Sequence, residues 1–226
     1  MYKRQNYSKD GVAVHEDKVK SLLNTPDPVD AKELRGFLGL AVYCSSHIPQ
    51  LATLASTLWN LTAENVKFEW KAEHSEAMNK IKKALITDSL AFFNRKWLTE
   101  LTVDASPVGL GGVLAQIDPF NKKIRNIVMF ISRKLTEIEG RMSQIEKEGL
   151  GVVWACERLY LYLIGTKFTI ITDNRAIELI YNNPKSNPPL RIRRWALRLM
   201  AFDYVIIHRP GAVSYTHLRA HETLMN

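Results

Sequence analysis

The chain has 226 residues, 46% of them hydrophobic, enough for one good core or one core with a small satellite domain. No apolar run is long enough to span a bilayer and no secretory signal precedes the first charges, so a membrane protein is not expected. Cys44 and Cys156 lie far apart and form no metal or disulfide pattern, which fits a reducing, intracellular setting, while a net charge of +8 favours a polyanionic partner without requiring one.

The termini read as foreign to the rest. "VSYTHLRAHET" (213–223) resembles a transposase-type sequencing adapter translated by read-through, and "MYKRQ" (1–5) resembles the other strand of the same adapter. Residues 1–5 and 212–226 are therefore set aside from fold reasoning, and the coding sequence is expected to be a fragment cut at both ends. His217 and His221 have the spacing of a helical metal pair, but an adapter origin accounts for them.

Residues 14–64 read as helical. Asp30 with Glu33 three residues on makes a capping-box pattern, and Leu34, Phe37, Leu38 and Ala41 follow as an apolar stripe. Pro49 breaks the run, and "QLATLASTLWNLT" starts another helix. "KFEW" (67–70) reads as a short strand or turn. "KAEHSEAMNKIKKALIT" (71–87) is amphipathic, with Ala77, Met78, Ile81 and Leu85 on one side. Lys80, Lys82 and Lys83 lie largely off that stripe, as a solvated face or as a nucleic-acid contact.

From residue 99 the pattern changes. Strands are expected at 99–104, 111–117 and 125–133, and a long helix over 143–164. A strand at 167–173, a helix at 175–182, an Asn/Pro-rich loop, a helix at 190–202 and a last strand from 203 follow. Three strands joined by tight turns, then helix, strand, helix, strand, imply an α/β fold with a mixed sheet and helices packed on it.

Three carboxylates stand out. Asp104 ends a strand before a glycine-rich turn, where a turn or cap role is the ordinary explanation. Asp173 ends another strand just before a helix, and capping by Asp173 or Asn174 would explain it. Glu148 is harder to explain. On a helical wheel of 143–164, Ile145, Val152, Ala155, Cys156, Leu159 and Leu163 form the apolar stripe, and Glu148 falls inside it, whereas Glu146, Lys147, Glu157 and Arg158 fall outside. A lone carboxylate facing a core is costly unless something pairs with it. Adjacent parallel strands carrying Asp104 and Asp173 would bring both to one sheet edge, and the first turn of the long helix would present Glu148 there. Clustered carboxylates repel unless cations lie between them. All-oxygen ligands select Mg or Mn, and two such ions roughly 3.5–4 Å apart suit in-line phosphodiester cleavage.

"VDASPVGLGGVLAQ", "ISRKLTEIEGRMSQIEKEGLGVVWACERLYLYLIGTKFTIITDNRAIELI" and "RWALRLMAFDYVIIHRPG" together resemble the RNase H domain of Gypsy-type LTR retrotransposon polyproteins. "ELRGFLGLAVYCSSHIPQLATLASTLWNLT" and "VKFEWKAEHSEAMNKIKKAL" resemble the thumb and connecting region of the same reverse transcriptase. The resemblance covers 14–211. It implies a thumb-like helical region over 6–64, a connecting segment over 65–98 and an RNase H-like domain over 99–211, with a five-stranded mixed sheet flanked by helices.

The resemblance also implies a two-ion Mg (or Mn) endonuclease that cuts the RNA strand of an RNA–DNA hybrid. Asp104, Glu148 and Asp173 match the family's first three carboxylates, as catalytic and metal-binding residues. Lys185, Arg191, Arg193, Arg194 and Arg198 could track phosphates, or form a solvated helix face with Trp195 in the core. Asn174 replaces the family's usual His. The fourth carboxylate, which follows "RPG" in the family, is replaced here by the adapter-like tail, so cleavage is expected to be impaired. No polymerase "YxDD" motif occurs, and the upstream fingers and palm are expected to be partners within the same polyprotein, in a cytoplasmic virus-like particle of the parent element. A hybrid-binding module without catalysis and a decayed transposon fragment are the rival expectations.

Overall fold

The computed structural model describes residues 5–9, 11–183 and 188–210. A short hairpin comes first, β1 (Gln5–Ser8) and β2 (Gly11–Val14). The helices α1 (Glu16–Asn24), α2 (Ala31–Tyr43), α3 (Leu51–Leu54), α4 (Ser56–Leu61) and α5 (Ala72–Ala84) follow. Then come β3 (Thr99–Ala105), β4 (Gly109–Ile117), β5 (Arg125–Lys134), α6 (Glu137–Gly140), α7 (Gln144–Arg158), α8 (Tyr160–Leu163), β6 (Lys167–Thr172), α9 (Arg175–Asn182), α10 (Leu190–Leu199) and β7 (Asp203–His208). No helix among the described residues is long and apolar enough to cross a membrane.

The helical region forms from its apolar stripes. Leu34, Phe37, Leu38 and Ala41 of α2 are buried, and pack in one cluster with Ala77, Met78 and Ile81 of α5 and the adjoining Leu85. Asp30 caps α2 by accepting from the Glu33 backbone N–H at 2.8 Å, and the Glu33 carboxylate accepts from Val29 N at 3.0 Å. Lys80 pairs with Glu76, and Lys82 donates to the Thr25 carbonyl. Both cations are thus engaged within the chain.

Three expectations need correction. The region 6–64 is not helical at its start, because β2 pairs antiparallel with β1 and bridges to Leu90 through Val12. The hairpin needs glycine at Gly11: its φ is +139°, and a Cβ there would meet the Leu90 carbonyl oxygen at 2.0 Å. "KFEW" is irregular, with Phe68 and Trp70 stacked and Trp70 donating to Ser75. The long helix expected over 143–164 is interrupted at Leu159, and nothing in the sequence marks that break.

The main sheet has the order β5-β4-β3-β6-β7. β3, β4 and β5 form an antiparallel meander, whereas β6 is parallel to both β3 and β7. This is the expected mixed five-stranded sheet flanked by helices. Leu101 and Val103 of β3, Val152, Val153 and Cys156 of α7, Ile177 of α9 and Trp195 of α10 belong to one core. On the other face, α3 packs on β4 and β5. α7 is wedged among β3, β4, α9 and α10, so its buried face is wider than one stripe. Lys147, expected outside that stripe, is buried as a result.

Candidate metal centre

The first strand of the parallel pair sets the register. Thr102 of β3 lies opposite Ile171 of β6, so Asp104 and Asp173 lie two positions further along, at the same edge of the sheet. Asp173 does not cap α9. Asn174 does, by accepting from the backbone N–H groups of Ala176 at 3.0 Å and Ile177 at 3.3 Å, which leaves the Asp173 carboxylate to face outward.

Glu148 reaches the same edge from α7. Ser143 caps this helix and forms a capping box with Glu146, so Glu148 is not needed at the helix terminus. Two glycines let the helix sit close to its neighbours. A Cβ at Gly151 would lie 3.1 Å from Val103 Cγ1, and one at Gly149 would lie 3.3 Å from the Tyr181 hydroxyl.

One carboxylate oxygen from each of Asp104, Glu148 and Asp173 lies within 4.8 Å of the other two. Asp104 is half-buried, Glu148 is buried and Asp173 is exposed. Gln144 Nε2 donates to Glu148 Oε1 at 2.7 Å and to the Ala105 carbonyl at 2.9 Å. Glu148 Oε2 is buried with no hydrogen-bond partner among the described residues. Burial pushes the Glu148 carboxyl up to about 7, with the charges of Asp173 and Asp104 adding to the rise against the Gln144 hydrogen bond. Burial also raises Asp104, and Asp173 adds to it.

Glu100 shows what a structural buried carboxylate looks like in the same sheet. It is 6% exposed, like Glu148 at 4%. Yet Arg125 donates to it at 2.9 Å and Arg209 at 3.2 Å, so it is neutralised in place. Among the described residues no cation pairs with Glu148. An orphaned buried anionic oxygen beside two more carboxylates is the donor set of a hard divalent cation, and these residues fit one.

The helix α10 buries its tryptophan and exposes its cations. Trp195 is buried, and Arg191, Arg193, Arg194 and Arg198 are exposed. Arg191 pairs with Glu146 at 2.8 Å, and Arg198 pairs with Glu157. Lys185 lies outside the described residues, as do residues 1–4 and 211–226. Gln50, which no sequence pattern singles out, donates to Asp104 Oδ2 at 2.5 Å.

Residues 95–202 match the family described as RNase H-like domain found in reverse transcriptase. The wider chain is 34% identical over 206 residues to the retrovirus-related Pol polyprotein from transposon 297 of Drosophila melanogaster, covering 89% of this chain and 18% of that protein. It is 30% identical over 213 residues to the transposon Tf2-3 polyprotein of Schizosaccharomyces pombe, covering 92% and 16% respectively. The chain therefore spans less than a fifth of the length of these relatives. In fold it is similar to the foamy viral protease-reverse transcriptase solved with an RNA/DNA hybrid, with a TM-score of 0.70 at 16% identity, covering all of this chain and 30% of that one. A second foamy viral structure, solved with double-stranded DNA, gives a TM-score of 0.69 at 17% identity, covering 92% and 37%. The segment that matches this family, 95–202, contains Asp104, Glu148 and Asp173, and the helical region precedes it.

Proposed function

We propose that this chain is the thumb, connecting and RNase H portion of a Gypsy-type retrotransposon reverse transcriptase, and that its RNase H-like domain cuts the RNA strand of an RNA–DNA hybrid. The observation that carries this is the orphaned Glu148 Oε2 within a cluster of three carboxylates, in a segment that matches the reverse-transcriptase RNase H family. Asp104, Glu148 and Asp173 would hold two Mg ions, with Mn as a substitute. Bound there, the ions supply activation of a water and stabilisation of the leaving ribose oxygen, giving a 3′-hydroxyl and a 5′-phosphate.

The chain's own groups do the rest. Glu148, fixed through Oε1 by Gln144, presents Oε2 to the site. Asp104 and the exposed Asp173 would supply the other carboxylate oxygens. RNA is selected through 2′-hydroxyl contacts in a wide minor groove. Lys185, Arg191, Arg193, Arg194 and Arg198 would track phosphates, with Arg191 and Arg198 exchanging Glu146 and Glu157 for the backbone.

The fourth family carboxylate falls where the adapter-like 212–226 stands, so the chain as written is proposed to be a slow enzyme. Fingers and palm of the parent polyprotein are the proposed partners, within a cytoplasmic virus-like particle. The test is cleavage of a labelled RNA–DNA hybrid in Mg and in Mn, with single-stranded RNA and duplex DNA as controls. Slow cleavage of hybrid alone, lost in Asp104→Asn, is expected. Binding of hybrid with no cleavage in either metal would instead make the chain a binding module.

A further inference from the structure

We infer that Gln50 is a positioning residue for Asp104, so that the helical region completes the metal centre of the domain that follows it; this rests on the metal-centre reading above. Gln50 lies 54 residues before Asp104 and donates from Nε2 to Asp104 Oδ2. It occupies the N-cap of α3, but its side chain does not cap that helix. Its backbone is left-handed, at φ 48° and ψ 33°. Among the described residues only one other non-glycine, Asn65, has a positive φ. A glutamine in that region is disfavoured and persists only where its surroundings hold it.

The surroundings do hold it. The Ala52 backbone N–H donates to Ser132 Oγ at 2.8 Å, and Thr53 Oγ1 meets Ser106 Oγ at 2.9 Å. A Cβ on Gly109 would stand 3.1 Å from the Ala52 Cβ, so α3 lies close against β4. These contacts fix the origin of the Gln50 side chain relative to the strand end that bears Asp104.

The chemistry of the partner is informative. The two deeper carboxylates each have one oxygen on a glutamine amide, Asp104 on Gln50 and Glu148 on Gln144. A neutral amide orients a carboxylate and leaves its full charge for a cation. Glu100 receives two guanidinium groups instead, which suits a carboxylate that holds no ion. Hydrogen-bonded supports of this kind behind metal-ligating carboxylates commonly change ion affinity by about 10- to 100-fold.

The experiment is titration of the full chain with Mn²⁺, followed by the loss of the free-ion paramagnetic resonance signal. The variants are Gln50→Met, which keeps length and loses the donor, Asp104→Asn, and the double variant. Gln50→Met is expected to weaken Mn²⁺ binding by about 10-fold or more, with a metal-free melting temperature close to that of the unaltered chain. In the Asp104→Asn background it is expected to change nothing further, an outcome that a merely structural role would not produce. If Gln50→Met does not fold, Gln50→Asn takes its place, because asparagine tolerates the left-handed backbone and falls one methylene short of Asp104. Binding unchanged or tightened by the Gln50 variant, while Asp104→Asn weakens it, overturns the inference and leaves the metal centre standing. Binding unchanged by Asp104→Asn overturns the metal centre, and the inference with it.

Discussion

Asp104 and Asp173 stand at the same end of two adjacent parallel strands, two positions beyond the Thr102–Ile171 pair, and in each case a later residue supplies the hydrogen bonds of the turn or cap that follows. After Asp104 the chain turns at Ser106, whose hydroxyl accepts from the Gly109 backbone N–H at 2.9 Å. After Asp173 the capping of α9 falls to Asn174. Burial raises both Asp104 and Glu148, and the Asp173 charge adds to the rise of each. Asp173→Asn should therefore lower the titration of both remaining carboxyls toward their ordinary range. Carbon-13 NMR of the carboxyl resonances in metal-free protein reads this directly, and no change in either would mean that the three groups are not coupled.

Glu148 should make the metal-free chain less stable as pH rises. Its folded-state pKa, about 7, lies above the unfolded value of 4.5. Between those two values the folded state binds more protons than the unfolded one, so stability falls through that window and is lowest above pH 7. Glu148→Gln should remove this dependence and stabilise metal-free protein at pH 8 by on the order of 2–3 kcal/mol. Urea unfolding at pH 5 and pH 8, with and without chelator, measures it. Added Mg²⁺ should stabilise the unaltered chain and not the variant.

Loss of the α9 cap should cost stability without touching the site chemically. Asn174→Ala leaves the Ala176 and Ile177 backbone N–H groups without their acceptor, a loss of about 1 kcal/mol. Thermal unfolding should show it. Mn²⁺ affinity should hold within a few-fold, because the cap and the ligand are different residues.

Gly151 should tolerate no β-branched side chain. Its Cβ position already lies 3.1 Å from Val103 Cγ1, and Val103 is itself buried. Gly151→Val should cost roughly 1–3 kcal/mol by overpacking. It should also push α7 off β3, weakening metal binding as Glu148 withdraws. A variant with normal stability and normal affinity would show that α7 is not pinned at that point.

On the proposed hybrid-cleaving function, a family-like C-terminus should raise the rate. Replacing residues 212–226 with a family-like ending that carries a carboxylate shortly after Arg209-Pro210-Gly211 should raise hybrid cleavage by about 100- to 1,000-fold, the usual scale for regaining an electrostatic stabiliser. Equal rates before and after the replacement would contradict the proposed impairment.

Much of the domain was legible because period and charge disagreed in one place. The apolar stripe of α7 selected Glu148 over Glu146, and the structure buries Glu148 while Glu146 closes the capping box. The strand ends at 104 and 173 could be aligned because parallel neighbours share direction. Gln50 was not legible: a neutral side chain in the opening helices carries no periodic signature, and its contact depends on docking across 54 residues. The β1–β2 hairpin was missed because its four-residue strands are too short for an alternation to register. Its one signal, Gly11, is explained only by the Leu90 carbonyl packed against it. The burial of Lys147 depends on how many elements enclose α7, which a single helical wheel does not contain.

The central claim is that Glu148 Oε2, which has no hydrogen-bond partner among the described residues, is a metal ligand. Crystals of the chain soaked in Mn²⁺ at pH 8, with an anomalous difference map phased on the protein, test it most directly. The account predicts a peak among Asp104, Glu148 and Asp173, within about 2.0–2.3 Å of Glu148 Oε2, and no such peak in Glu148→Gln crystals. A map with no peak there, or with the same peak in the variant, would contradict it.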